Sequence, residues 1–275
     1  MTRSHHLVAA TLCAVFLSGT ACAQTDTRAA SEPYTPSVGQ AGKDVVWVPT
    51  SQALVDRMLE MAELAPTDRL VDLGSGDGRT VITAAKRGAS ARGIEFNPDL
   101  VALSRRAAQA EGVGDKALFE HGDIFKSDFS NATVITLFLL PDLNLRLRPI
   151  LLDMRPGTRV VSNSFDMGDW RPDETAHVTE GCSSYCNAYK WIVPARVHGR
   201  WSLDGKPLVL NQKYQNLDGS LREGATPQPI SDARLDGAQI RFSVGQQHYT
   251  GRVEGNVMQG TVNGKQAWRA TRTPG

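Results

Sequence analysis

Val71 to Thr80 reads V-D-L-G-S-G-D-G-R-T, and this decade decides how the rest of the chain is understood. Arg69 to Leu73 is a short strand-like run that carries Asp72 near its end, and Gly74, Gly76 and Gly78 then alternate with Ser75 and Asp77. Arg79 to Arg87 follows at helical spacing, and Gly88 stops it. A glycine loop between a strand and a helix lets backbone approach a ligand, and the helix N-terminus favours negative charge there. Here, however, the spacing is G-x-G-x-G rather than the G-x-G-x-x-G of dinucleotide sites, and the strand ends in a carboxylate. Asp72 would repel a pyrophosphate and attract an ammonium group.

Further along the chain, Ser90 to Glu95 predicts a second strand whose terminal Glu95 can accept hydrogen bonds from ribose hydroxyls. Ala117 to His121 predicts a third, closed by Gly122-Asp123. Asp123 is placed to accept from an adenine amine, and the Ile124 backbone to address the ring nitrogen. Three acidic side chains thus fall at the carboxyl ends of three consecutive strands, where open α/β sheets bind ligands. A ligand with an ammonium, a sulfonium, a nucleoside and no phosphate meets this charge inventory. S-adenosyl-L-methionine carries this set of groups and is the ligand the pattern predicts.

Periodicity fills in the rest. Ser51 to Leu64 predicts an amphipathic helix, and Asn97-Pro98 opens another that runs to Glu111. Thr133 to Leu140 is a near-continuous apolar strand, Leu143 to Leu152 a helix that Pro149 should bend or split, and Arg159 to Ser164 a fifth strand. Ala176 to Thr179 and Ala188 to Val193 read as an antiparallel hairpin completing the sheet. The fold class is α/β, a doubly wound Rossmann-like sheet. Beyond Pro194 the helices stop. Residues 200–203, 208–215, 239–244, 247–253, 256–262 and 266–271 alternate, with hairpin dipeptides at Asp204-Gly205, Asp218-Gly219, Asp236-Gly237 and Asn263-Gly264. They predict a small antiparallel β meander or barrel, which could serve as a ligand cup, a docking module or a packing cover.

The first residues have another character. A basic head, a brief apolar run and Ala21-Cys22-Ala23 read as a signal peptide over 1–23, with attachment of a lipid anchor to Cys22 as the alternative. Residues 24–44 read as a flexible leader, 45–196 as the ligand-binding domain and 197–275 as the all-β C-terminal domain. Localisation is therefore expected to be periplasmic or secreted, or membrane-tethered through Cys22 or an uncleaved N-terminus. In an exported chain, Cys182 and Cys186 of CSSYC would form a local disulfide, since zinc needs more ligands than this pair offers. The formal net charge of +1 gives no electrostatic reason to expect nucleic acid, and no internal apolar run is long enough for an integral membrane segment.

VDLGSGDGRT, GIEFNPDLV and HGDIF resemble the first three motifs of class I, seven-β-strand methyltransferases. More narrowly, VPTSQALVDRML, TLFLLPDLNLRLRPIL, GTRVVSNSFDMGDW and WIVPARV are similar to the small mitochondrial lysine methyltransferases of the ATP synthase c-subunit and the adenine nucleotide translocator, and to their bacterial relatives. The similarity runs from about Val46 to Val197. It implies that Asp72, the loop residues Gly74, Ser75, Gly76 and Gly78, Glu95, Asp123 and Ile124 hold the cofactor, with Thr50 closing over it. It also puts Leu139-Leu140-Pro141-Asp142 at the transfer site, without the Asn/Asp-Pro-Pro-aromatic pattern of amide- and adenine-directed enzymes. Leu140, Pro141, Asp142, Phe165 and Trp170 are the lining candidates, each equally expected as packing. The implied activity is protein-lysine N-methylation by an exported or envelope-associated enzyme. The alternatives are a small-molecule methyltransferase whose β domain shapes the acceptor site, and a non-catalytic binding protein on the same scaffold.

Overall fold

The computed structural model describes residues 1–2 and 34–274. The expected signal peptide from its third residue on, Cys22 and the first part of the leader lie outside the described residues. The first helix, α1 (Gln52–Met61), is capped by Ser51, whose side chain accepts from the Leu54 N–H at 3.3 Å. It turns Leu54, Val55, Met58, Leu59 and Met61 into the core.

Strand and helix then alternate: β1 (Arg69–Leu73), α2 (Arg79–Lys86), β2 (Ser90–Glu95), α3 (Pro98–Ala110), β3 (Ala117–His121), β4 (Val134–Leu137), α4 (Pro141–Leu152) and β5 (Arg159–Asn163). β6 (Glu174–His177) and β7 (Asn187–Ile192) complete a seven-stranded sheet of order β3-β2-β1-β4-β5-β7-β6. β1 to β5 are parallel, and β7 pairs antiparallel with β5 and β6. Alternate residues serve opposite faces. Leu70, Val134 and Val161 pack against α1, α2 and α3, while Val71, Ile135, Leu137 and Val160 join the α4 side. The chain steps outward from β1 to β3 and then returns to β4, so the β1–β4 boundary is the switch point where such sheets form a crevice.

Two local expectations are corrected. β4 ends at Leu137, so Phe138 to Leu140 leave the sheet. Pro141 supplies the first turn of α4, and Pro149 sits exposed near its far end without splitting it.

The second sheet comprises β8 (Gly199–Leu203), β9 (Lys206–Lys213), β10 (Asn216–Glu223), β11 (Thr226–Pro229), β12 (Ser231–Asp236), β13 (Gln239–Val244), β14 (Gln247–Glu254), β15 (Val257–Val262) and β16 (Gln266–Arg272). Pairing of β9 with β10 closes eight strands into an antiparallel barrel, with β11 appended to β10. Asp218-Gly219 is not a turn: it lies inside β10, opposite Asn211 and Leu210 of β9. β10, β11 and β12 escape a periodicity reading because their sequences are polar and Leu221 and Leu235 are their deeply buried side chains. Gly219 is required by close approach, since a Cβ there would sit 1.9 Å from the Val209 carbonyl oxygen. The barrel interior is filled by Trp201, Leu208, Leu210, Phe242, Met258 and Trp268, which makes it a packed core and not a cup.

A buried seam joins barrel and sheet. Trp170 Nε1 donates to Gln215 Oε1 at 3.0 Å, Gln215 Nε2 donates to the Arg171 carbonyl at 2.8 Å, and Trp191 Nε1 donates to the Trp170 carbonyl at 2.7 Å. Arg234 pairs with Asp173 across the same seam.

Candidate active site

The main cleft opens at the carboxyl ends of β1, β2, β4 and β5. It encloses about 1250 Å³ with its open mouth included. Its walls are the segment 40–50, the glycine loop, Glu95 and Asn97, Ile124, the turn after β4, Phe165 and Tyr185. No barrel residue lines it among the described residues.

Asp72 forms the buried floor. Parallel pairing sets it opposite Thr136, whose Oγ1 donates to Asp72 Oδ1 at 2.7 Å. Burial pushes the Asp72 pKa up to about 7, the Thr136 hydrogen bond opposes the rise, and the charges of Glu95 and Asp77 add to it. Glu95 is a clamp. One oxygen accepts from the Gly76 N–H at 2.9 Å, the other from the Asn97 N–H at 2.9 Å, so one carboxylate ties the glycine loop to the start of α3. Gly74, Gly76 and Gly78 all take positive φ, 80, 55 and 82°. A Cβ on Gly76 would lie 2.7 Å from Trp47 Nε1, so glycine at this position lets Trp47 approach the loop this closely.

That segment folds back on itself, with Gly39 N–H donating to Trp47 O and Trp47 N–H to Gln40 O, both at 2.9 Å. Arg79 pins its end. Its guanidinium grips Asp77 through Nε at 3.0 Å and donates to the Thr50 carbonyl at 2.7 Å. Thr50 Oγ1 accepts from Asn163 Nδ2 at 3.1 Å. Lys43 pairs with Asp123 at 2.8 Å and lies 4.7 Å from the Phe96 ring centre. The hydrogen bond from Lys43 holds the Asp123 carboxyl below the usual carboxylate range.

The structure therefore gathers Thr50, Asp72, Gly74, Ser75, Gly76, Glu95 and Ile124 around one cleft. Asp123 stands behind Lys43, outside the lining, and Gly78 packs against Phe119, where a Cβ would lie 2.7 Å from the ring. At the other end Leu139, Leu140 and Phe165 line the cleft, while Pro141 and Asp142 are exposed on the first turn of α4. Trp170 lies at 0% exposure in the seam to the barrel. Sequence reading does not single out Lys43, Trp47, Phe138 or Tyr185, all of which line the cleft. Of these, Trp47 carries a local signal, three residues before Thr50 in V-W-V-P-T.

The cleft fits a cationic nucleoside. Asp72, Asp77 and Glu95 face it, its two cations Arg79 and Lys43 are already paired with Asp77 and Asp123, and no basic side chain among those acting on Asp72 neutralises it. Ser75 Oγ is buried there without a partner. An ammonium brought to Asp72 stabilises its ionised form, so binding releases a proton wherever Asp72 is protonated in the free protein. Affinity for S-adenosylhomocysteine should thus rise as pH increases toward 7, by up to about tenfold per pH unit, and level off above it. Asp72→Asn should flatten that profile and weaken binding at pH 8 by on the order of tenfold or more. Calorimetry across pH 5.5 to 8.5 checks both, and an equally steep profile in Asp72→Asn would remove Asp72 from this role.

Comparison with known proteins gives the geometry a lineage. The model of the ANTKMT methyltransferase domain matches residues 72–174. A protein-lysine N-methyltransferase of Saccharolobus islandicus is 41% identical over 152 residues, covering 54% of this chain and 94% of that protein. The adenine nucleotide translocase lysine N-methyltransferase of Mus musculus is 34% identical over 139 residues, covering 50% of this chain and 59% of the mouse protein. A crystal structure described as an RNA methyltransferase from Salinibacter ruber in complex with S-adenosyl-L-homocysteine superposes with a TM-score of 0.51 at 51% identity, over 55% of this chain and 96% of that one. S-adenosyl-L-methionine is accordingly the cofactor that the cleft accepts. With a cleft built for a cationic nucleoside and the Saccharolobus relative matched over nearly its whole length, the chain belongs to the S-adenosylmethionine-dependent protein-lysine N-methyltransferases.

Proposed function

We propose that this enzyme methylates the ε-amine of lysine in proteins of the cell envelope or beyond it. The observation that carries the acceptor reading is the apolar end of the cleft, walled by Phe138, Leu139, Leu140, Phe165 and Tyr185. Bound S-adenosylmethionine supplies an electrophilic methyl on a sulfonium, so transfer forms one N–C bond to the acceptor and breaks one C–S bond with its electron pair left on sulfur. The protein's part is to align and to dry. The Glu95 clamp and the segment ending at Thr50 fix the cofactor side, and alignment alone can supply on the order of 7–11 kcal/mol in favourable cases. The apolar walls disfavour the charged form of an entering lysine and so present the neutral amine, whose lost proton goes to solvent.

Export is supported by the N-terminal sequence and by the Cys182–Cys186 disulfide, a bond that persists in oxidising compartments. A small-molecule acceptor site shaped by the barrel is disfavoured, because the barrel contributes nothing to the cleft wall among the described residues. An RNA acceptor, which the Salinibacter protein's description would suggest, finds no surplus of positive charge to track phosphates.

The test is transfer of labelled methyl into cell-envelope material, with protein, RNA and small molecules resolved afterwards. Label is expected in methyl-lysine after acid hydrolysis of the protein fraction, and label confined to either other fraction overturns the reading. N-terminal sequencing of the protein from cells should begin at Gln24; a chain beginning at Met1 would oppose cleavage.

A further inference from the structure

Tyr185 projects from the loop between β6 and β7 to the mouth of the cleft. Its neighbours explain what it is for. Phe138 leaves the end of β4 and Phe165 follows β5, with their ring centres 6.2 Å apart. Tyr185 meets Phe138 edge-on at 5.2 Å and Phe165 at 6.0 Å. All three line the apolar end of the cleft, and Tyr185 stays 46% exposed at its mouth. An aromatic trio with one face left to solvent is a receptor for an alkyl stem, through apolar contact of the rings along the methylenes, which leaves the terminal amine to pass into the dry end of the cleft in its neutral form. The cations at this cleft do not compete, because Lys43 and Arg79 are held by Asp123 and Asp77.

How Tyr185 is held there is the second observation. Its φ is +56°, a left-handed conformation unfavourable for a bulky side chain. Cys182 and Cys186 flank it and are joined by the disulfide, and Val178 N–H closes the loop base onto the Cys186 carbonyl at 2.9 Å. Gly181 packs the same loop on α1, where a Cβ would lie 3.3 Å from Ala53 Cβ. The ring is therefore presented by a covalently closed loop anchored to the sheet.

We propose that Tyr185 is an acceptor-positioning residue: with Phe138 and Phe165 it receives the lysine stem of the protein substrate, and the Cys182–Cys186 bridge holds it in place. This rests on the lysine reading given above. Reduction of the bridge should then release Tyr185 and weaken acceptor binding while leaving the cofactor side intact.

The test compares wild type, Tyr185→Ala, Tyr185→Phe, the paired Cys182→Ser/Cys186→Ser variant and the combination of Tyr185→Ala with that pair. Two readouts are needed: S-adenosylhomocysteine affinity by calorimetry, and the rate of methyl-lysine formation against increasing cell-envelope protein. Tyr185→Ala should raise the half-saturating protein concentration by on the order of tenfold, with S-adenosylhomocysteine affinity within about twofold of wild type. Tyr185→Phe keeps the ring and should behave like wild type. The paired serine variant should resemble Tyr185→Ala, and the combination should lose no more than either alone, since both remove one device. Wild-type half-saturation in Tyr185→Ala overturns the inference and leaves the lysine reading standing. Additive losses in the combined variant overturn the role of the bridge. Absence of methyl-lysine with wild type overturns the lysine reading and this inference with it.

Discussion

Glu95→Ala is expected to weaken S-adenosylhomocysteine binding by on the order of 100-fold or more. The carboxylate does two things at once. It is the acceptor at the end of β2 available to ribose hydroxyls, and charged hydrogen bonds contribute about 1.5–3 kcal/mol each. It also fixes the Gly76 and Asn97 amides at 2.9 Å, so truncation frees the glycine loop and leaves two donors unpaired. Roughly 3 kcal/mol in total gives the stated factor. Glu95→Gln should fall between, because an amide can accept at only one of its two ends. The variant must be shown folded by its thermal transition before titration. Binding within threefold of wild type by folded Glu95→Ala would mean that the cofactor lies elsewhere.

Trp170→Ala should cost about 3–5 kcal/mol of stability, the range for removing a large aromatic side chain from a tight core. Trp170 is fully buried, stacks on Tyr214 with centres 6.0 Å apart and bonds Gln215 at 3.0 Å, and so holds the barrel to the sheet. Trp170→Phe should lose less, chiefly the penalty of leaving Gln215 Oε1 buried without a donor, about 1–3 kcal/mol. Denaturant unfolding measures both, while the folded variants should bind S-adenosylhomocysteine as wild type does. A Trp170→Ala protein of undiminished stability that had lost methyl transfer would return this residue to the acceptor wall.

Phe165 and Trp170 look alike in the sequence, two aromatics just past a strand in one apolar segment. Phe165 follows the end of β5 directly and faces the cleft. Trp170 comes after a turn at Gly168, and it is swung into contact with a barrel residue that no local pattern could pair with it. The same holds for Asp123. Its place after β3 is legible, but its engagement by Lys43 depends on how segment 40–50 returns across the sheet. In β10, Asp218-Gly219 carries a hairpin signal, and the barrel overrides that propensity by pairing the dipeptide with β9.

The α/β order, the ends of β1, β2 and β3 and the sign of the charge around the ligand were legible in the sequence, because periodicity, glycine spacing and an acidic residue closing a strand are local properties that survive in one dimension. Tertiary structure alone decided which aromatics reach the cleft, that Tyr185 is delivered there by a disulfide loop, and that the barrel stays away from it. Those outcomes depend on side chains far apart in the chain meeting in space, and packing, not local preference, selects the partners.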